Sequence, residues 1–222
     1  VNPPAGEQRT ISLFYPWESP LYEEYGSTRA TPTTRKASVT CMMEYLRFMG
    51  FNRLEFHPYH FDRSACFASK IFPQSGDADV FEDVLPIAQR HNVEVVPRVD
   101  SLVFYLSGKG AEEYEKMPDI YQLTCRGETM DFFGTVPDPL HPVVQQLMYD
   151  LLREMAEKTR DWSCVPAVGF RANGKFGNLY VGTNRKHPPE ESGYSEFDIA
   201  EFQKNTGVIV GGTAGDPAQR YE

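Results

Sequence analysis

The chain has 222 residues, 41% of them hydrophobic and 24% charged, a composition that suits one globular α/β domain with a real core. Its formal net charge is −9, with 22 Lys and Arg against 31 Asp and Glu and no basic cluster to offset that sign, so no nucleic-acid partner is expected. No apolar run approaches the roughly 20 residues a bilayer-spanning helix needs, so no membrane partner is expected either.

The chain opens polar and Pro-rich at Val1-Asn2-Pro3-Pro4, without an initiator Met. A processed or excised start is the expectation, and an upstream targeting segment stays open. Localisation is undecided, a secreted or periplasmic one being favoured. Four cysteines, at 41, 66, 125 and 164, form no C-x-x-C pair. Disulfides are permitted but not demanded, and Cys41, among Met42, Met43 and Leu46, reads as a buried free thiol.

Three short strand-like runs recur at equal spacing: Ile11 to Tyr15, Asn52 to His57 and Val93 to Val99, their starts 41 residues apart. Such a period suits strand, loop, helix, loop. Before the second run, Lys36 to Met49 places Val39, Met42, Met43 and Leu46 at helical spacing, with Gly50 as the stop. Before the third, Asp79 and Glu82 form a D-x-x-E helix start, followed by Val84, Leu85 and Ala88. Pro86 there predicts either a late start or a kink.

After Val99 the pattern is interrupted. Residues 101–140 read as an irregular or hairpin insertion, strand-like at Tyr121 to Thr124 beside Arg126-Gly127. A long helix follows from Pro142, carrying Val144, Leu147, Met148, Leu151, Leu152 and Met155. Ala167 to Ala172 is the fourth strand candidate. A polar Gly- and Pro-rich loop, 174–194, precedes a short helix from Ser195 to Asn205 that ends at Gly207.

Alternation along the strands separates two faces. One is apolar: Leu54, Phe56, Val93, Val95, Pro97, Val99, Val168 and Phe170. The other is mixed: Arg53, Glu55, His57, Glu94, Val96, Arg98, Asp100, Arg171 and Asn173. The 41-residue repeat sets Glu55 against Val96, and His57 against Arg98. A helix-covered outside and a polar inside fit barrel strands whose C-terminal ends face a site. A doubly wound open sheet fits less well, and no G-x-G-x-x-G turn is present.

Four stretches, Tyr45 to Asp62 (YLRFMGFNRLEFHPYHFD), Asp83 to Asp100 (DVLPIAQRHNVEVVPRVD), Pro137 to Glu154 (PDPLHPVVQQLMYDLLRE) and Gly193 to Gly207 (GYSEFDIAEFQKNTG), give the chain a resemblance to uncharacterised TIM-barrel glycoside hydrolases. The resemblance implies TIM-barrel-like (β/α) units with parallel strands, in one domain spanning 1–222. Only four of the eight barrel strands are legible, so a partial barrel, incomplete at its C-terminal end, is expected. It implies hydrolysis of an O-glycosidic bond and a carbohydrate partner, and calls for no cofactor. Many retaining barrel glycosidases carry a general-acid Glu after an Asn at the end of the fourth strand. Here the comparable place reads Arg171-Ala172-Asn173-Gly174, without a carboxylate, which puts that mechanism in doubt.

Glycoside hydrolysis needs two carboxyl groups flanking the sugar bond. The inner face and its edge offer Glu18, Glu55, Asp62 and Asp100. Asp100, ending a strand two residues after Arg98, is the first catalytic candidate and Glu55 the second. A structural ion pair is the competing reading of Asp100 and Arg98. His57, His60, Arg98, Arg171, Asn173 and Trp17 are the candidate substrate-binding residues. Glu55, His57, His60 and Asp62 together spell E-x-H-x-x-H-x-D, with chemistry suited to a metal, but His57 ends a strand and His60 sits in a loop. Hydroxyl binding or core satisfaction is preferred, and no metal is assigned. Trp17, Tyr22, Tyr25, Phe176 and Tyr180 offer rings for stacking sugars or for packing loops.

Two further functions compete: a carbohydrate-binding or scaffold domain that lost the acid, and a metal-dependent sugar isomerase or hydrolase using His57 and His60. Four strands leave two sheet edges, so a homo-oligomer through the first or fourth strand, or a longer parent, is expected.

Overall fold

The computed structural model describes residues 9–15, 19–23, 31–100, 103–106, 111–130, 135–170 and 193–211. In chain order these form β1 (Ser12–Tyr15), α1 (Ser19–Glu23), α2 (Pro32–Phe48), β2 (Arg53–Phe56), α3 (Val80–His91), β3 (Glu94–Val99), α4 (Val103–Leu106), α5 (Glu112–Glu115), a 3-10 turn (Pro118–Ile120), α6 (Pro142–Thr159), β4 (Gly169–Phe170) and α7 (Glu196–Thr206). The four strands make one parallel sheet in the order β1-β2-β3-β4. These are TIM-barrel-like units, and the strands described do not close a barrel. No described helix is long and apolar enough to cross a membrane.

The chain divides into two compact units. The first comprises 1–60, 64–99 and 151–170, the second 61–63, 100–150 and 171–222.

In the first unit, register follows the sequence repeat. Ser12 pairs Arg53, which pairs Glu94; Leu13 pairs Leu54, which pairs Val95; Glu55 pairs Val96. Leu54, Phe56, Val95 and Val99 are buried on the face under the helices, where the Phe56 and Phe81 rings lie 6.2 Å apart. Fully burying each such side chain stabilises the fold by about 1.5–3 kcal/mol.

Helix α2 begins one turn before the expected Lys36. Pro32 sits at its start, and a capping box links Thr31 and Thr34. It ends before Gly50, whose φ of 82° is left-handed backbone that suits a residue without Cβ. Its buried stripe is Arg35, Ser38, Val39, Met42, Met43 and Leu46. Cys41 is exposed, not buried as expected: it lies on the far side of the helix from that stripe. All four cysteines are free thiols.

Helix α3 is capped by Asp79, whose carboxylate accepts from the N–H groups of Phe81 and Glu82. Pro86 is inside this helix rather than at its start. Helices α2 and α3 pack together and share a buried ion pair, Arg35 Nε to Asp83 Oδ2 at 2.7 Å. The segment after β2 is held to the C-terminal part of α6. Glu154 accepts from the Tyr59 hydroxyl (2.8 Å), the Ser69 hydroxyl (2.6 Å) and the Lys70 N–H.

In the second unit, the expected hairpin is a tight turn at Arg126-Gly127. Thr124 N–H donates to Glu128 and Met130 N–H to Gln122, with Gly127 at a φ of 76°. Helix α7 is capped by Ser195 and ends at Gly207.

Candidate functional site

Strand alternation places Phe14, Glu55, Val96, Arg98 and Gly169 on the sheet face opposite Leu54, Phe56 and Val95. Two ion pairs cross this face between β2 and β3. Near the strand starts, the Arg53 guanidinium meets Glu94 Oε2 at 2.7 Å, both side chains partly exposed. Further along, Arg98 Nη2 meets Glu55 Oε2 at 2.6 Å. The Glu55 side chain is only 9% exposed, against 34% for Arg98. The second pair therefore presents a guanidinium to solvent over a sunken carboxylate. Just past β2, the His57 ring is buried and stands edge-on to Phe14, centroids 5.0 Å apart.

The structure thus brings Glu55, His57 and Arg98 together with Phe14 on one polar face. A carboxylate that accepts, a guanidinium that donates in plane, and an adjacent ring are groups that can bind the hydroxyls and C–H faces of a sugar.

The other candidates fall differently. His60 Nδ1 lies 3.2 Å from Ser64 Oγ, and the His60 backbone N–H donates to the Ser64 carbonyl, so it closes its own loop. Among the described residues no group of three or more His, Cys, Asp or Glu side chains could hold a metal ion. Asp100 follows β3 directly and is buried; it belongs to the second unit, as does the exposed Asp62. Tyr22 is buried, and its hydroxyl donates to Asp83 at 3.4 Å, so this ring serves the core and not sugar stacking. Trp17, Glu18, Tyr25, Arg171, Asn173, Phe176 and Tyr180 lie outside the described residues.

Sequence reasoning missed a carboxyl cluster in the second unit. The Ser195 hydroxyl lies 3.3 Å from Asp138 Oδ2 and 2.9 Å from Asp198 Oδ2, and accepts the Asp198 N–H at 3.0 Å. The Leu140 N–H donates to Asp138 Oδ1 at 2.8 Å. Burial, and then the facing Asp198 carboxylate, push the Asp138 carboxyl up to about 7, against the pull of the Leu140 N–H. The sequence places a helix start at Ser195, but nothing in the local sequence points its hydroxyl at Asp138.

No family model matches the chain, and no curated protein matches it. Similar solved structures exist at low identity. An α-L-fucosidase, isoenzyme 2 from Paenibacillus thiaminolyticus, is 12% identical with a TM-score of 0.53, over 90% of this chain and 26% of that one. A noncanonic maltogenic α-amylase, AmyB from Thermotoga neapolitana, is 13% identical with a TM-score of 0.42, over 90% of this chain and 44% of that one. A hypothetical protein from Ruminiclostridium thermocellum ATCC 27405 is 14% identical with a TM-score of 0.48, over 89% and 94%. The likeness to the fucosidase is one of fold, and the chain spans about a quarter of that enzyme's length.

Proposed function

We propose that the protein carrying this chain hydrolyses an O-glycosidic bond, and that the face built around Glu55, Arg98 and His57 holds a sugar. The observation that carries this reading is the 2.6 Å Glu55–Arg98 pair on the polar face of a parallel sheet with a glycosidase-like fold. The pair fixes a carboxylate and a guanidinium side by side, which matches the neighbouring acceptor and donor needs of vicinal ring hydroxyls. Asp100, directly after β3, is the proposed reacting carboxylate and Glu55 the proposed second carboxyl group that the reaction needs, because barrel enzymes draw their chemistry from C-terminal strand ends. His60, Trp17, Arg171 and Asn173 are proposed as further sugar contacts.

The test is turnover of a panel of aryl glycosides, α-L-fucoside and α-glucosides included, by the full-length protein. Hydrolysis that falls a hundredfold or more in Asp100→Asn and also falls in Glu55→Gln supports the reading. Turnover indifferent to both substitutions rejects the residues.

A second reading is favoured by the stretch Arg171-Ala172-Asn173-Gly174, which lacks the carboxylate that many such enzymes carry there. On that reading the chain binds carbohydrate without cleaving it. Calorimetry showing oligosaccharide binding, weakened by Glu55→Gln, with no turnover of any glycoside, selects it.

A further inference from the structure

Gly169 occupies a strand position where nothing in its own backbone calls for glycine. Its φ lies outside the left-handed region, unlike that of Gly50 or Gly127. A glycine inside a strand contributes no side-chain packing, and it marks a place where another group approaches closely. Here that group is Arg98, directly opposite in the β3–β4 register. A Cβ built on Gly169 would stand 2.9 Å from Arg98 Cγ, 3.4 Å from Arg98 Nε and 3.5 Å from Val96 Cγ1. The nearest of these atoms is Cγ, the second carbon of the arginine stem, not its flexible end. It cannot step aside without moving the guanidinium that meets Glu55 at 2.6 Å.

We propose that Gly169 is a positioning residue of the β2–β3 polar face: its missing Cβ leaves the channel through which the Arg98 stem runs, and so fixes the guanidinium against Glu55. The consequence for ligand binding rests on the reading of this face as a sugar site; the geometric consequence does not. Any side chain at 169 competes with the arginine stem for one volume. The smallest, alanine, already displaces Arg98, whereas with Arg98 shortened the same volume stands open.

The test is a double-substitution cycle in the full-length protein with two separate readouts. The first is the Arg98 Nε–H resonance by NMR, together with the Glu55–Arg98 distance in a crystal structure of Gly169→Ala. A shifted resonance and a separation beyond 4 Å are expected; an unmoved pair overturns the proposal. The second is the unfolding equilibrium constant. Gly169→Ala should raise it fivefold or more in the native background and by less than twofold, or not at all, in Arg98→Ala. Equal effects in both backgrounds would show that Gly169 acts apart from Arg98, which also overturns it. The variants Gly169→Ala and Arg98→Ala are then compared for sugar affinity. If the guanidinium moves and affinity does not, the positioning role stands and the sugar-site reading of this face fails. A tenfold loss in Gly169→Ala that is absent on adding the substitution to Arg98→Ala supports both.

Discussion

Glu55 and Arg98 meet at 2.6 Å although they are diagonal in register, Glu55 standing directly opposite Val96. The two ends of this pair differ in depth, which makes their removal unequal. Arg98→Met strands a carboxylate whose side chain is only 9% exposed. Its cost is expected near 3 kcal/mol, the low end for an uncompensated buried charge. Glu55→Gln leaves a guanidinium that is 34% exposed and that water can rescreen, at a cost of about 1 kcal/mol. Urea unfolding of both variants checks the order. A larger loss in Glu55→Gln than in Arg98→Met would contradict the deeper burial of Glu55.

Helices α2 and α3 are held by a deeper pair. Arg35 and Asp83 side chains are 6% and 5% exposed at 2.7 Å, and the Tyr22 hydroxyl also donates to Asp83. Removing one partner leaves the other charged in an apolar interface, so Arg35→Met and Asp83→Asn should each cost about 3–5 kcal/mol. Replacing both by apolar residues of similar volume should recover most of that loss, because the cost of desolvating two charges disappears with them. The denaturation midpoints of the two single variants and the double variant test this, and a double variant worse than either single would contradict it.

Why some of this was legible in the sequence and some was not follows from the range of each signal. The 41-residue repeat and the strand alternation are signals several residues long, and they located β1, β2, β3 and the polar face. The helix starts at Asp79 and Ser195 are legible because each is a residue whose side chain can accept a first-turn backbone N–H, as Asp79 does from Glu82 and Ser195 from Asp198. Helices α1, α4 and α5, at four or five residues, are too short to complete an apolar stripe. Cys41 is exposed beside the buried Met42 because neighbours in sequence are not neighbours on a helix face. The repeat sets Glu55 beside Val96 and Arg98 one step further along the same face, so their shared neighbourhood is legible; that Arg98 turns to Glu55 across the strands is a matter of side-chain packing that no pattern encodes. Asp138 and Asp198 are brought together by tertiary packing, to which no local motif points.

Glu154 concentrates three hydrogen bonds on one carboxylate, from Tyr59, Ser69 and the Lys70 backbone. Its loss leaves the buried Tyr59 hydroxyl a weaker acceptor, the Leu151 carbonyl at 3.3 Å. Glu154→Ala is expected to cost about 3 kcal/mol, since bonds to a charged acceptor exceed neutral ones. The segment after β2 should loosen first. Limited proteolysis should cut between residues 60 and 79 at least tenfold faster in the variant, while Glu157→Ala, whose contact with Lys70 is exposed and 4.0 Å long, should not change the rate.

The Ser195 hydroxyl has one proton to offer, yet it lies within hydrogen-bond distance of both Asp138 and Asp198. Two ionised carboxylates at this place would compete for that proton and repel each other, so a proton on the buried Asp138 relieves both conflicts. Its carboxyl accordingly rises from 3.8 to about 7, through burial first and the facing Asp198 charge second. A folded-state value above the unfolded one means that the folded chain holds the proton more tightly. The stabilisation is complete below about pH 4, where both states are protonated. It declines as pH rises towards 7, and it is lost beyond that, where both are ionised. Because Ser195 caps α7, this helix should register the change: its amide protection factors, corrected for intrinsic exchange, should fall between about pH 4 and pH 7.5. Asp138→Asn keeps an acceptor for the Leu140 N–H and supplies a donor towards Asp198, so it should remove the pH dependence. Asp198→Asn removes the opposing charge and should shrink it. Protection of α7 that is flat across this range in the native chain would show that Asp138 does not hold its proton in the fold.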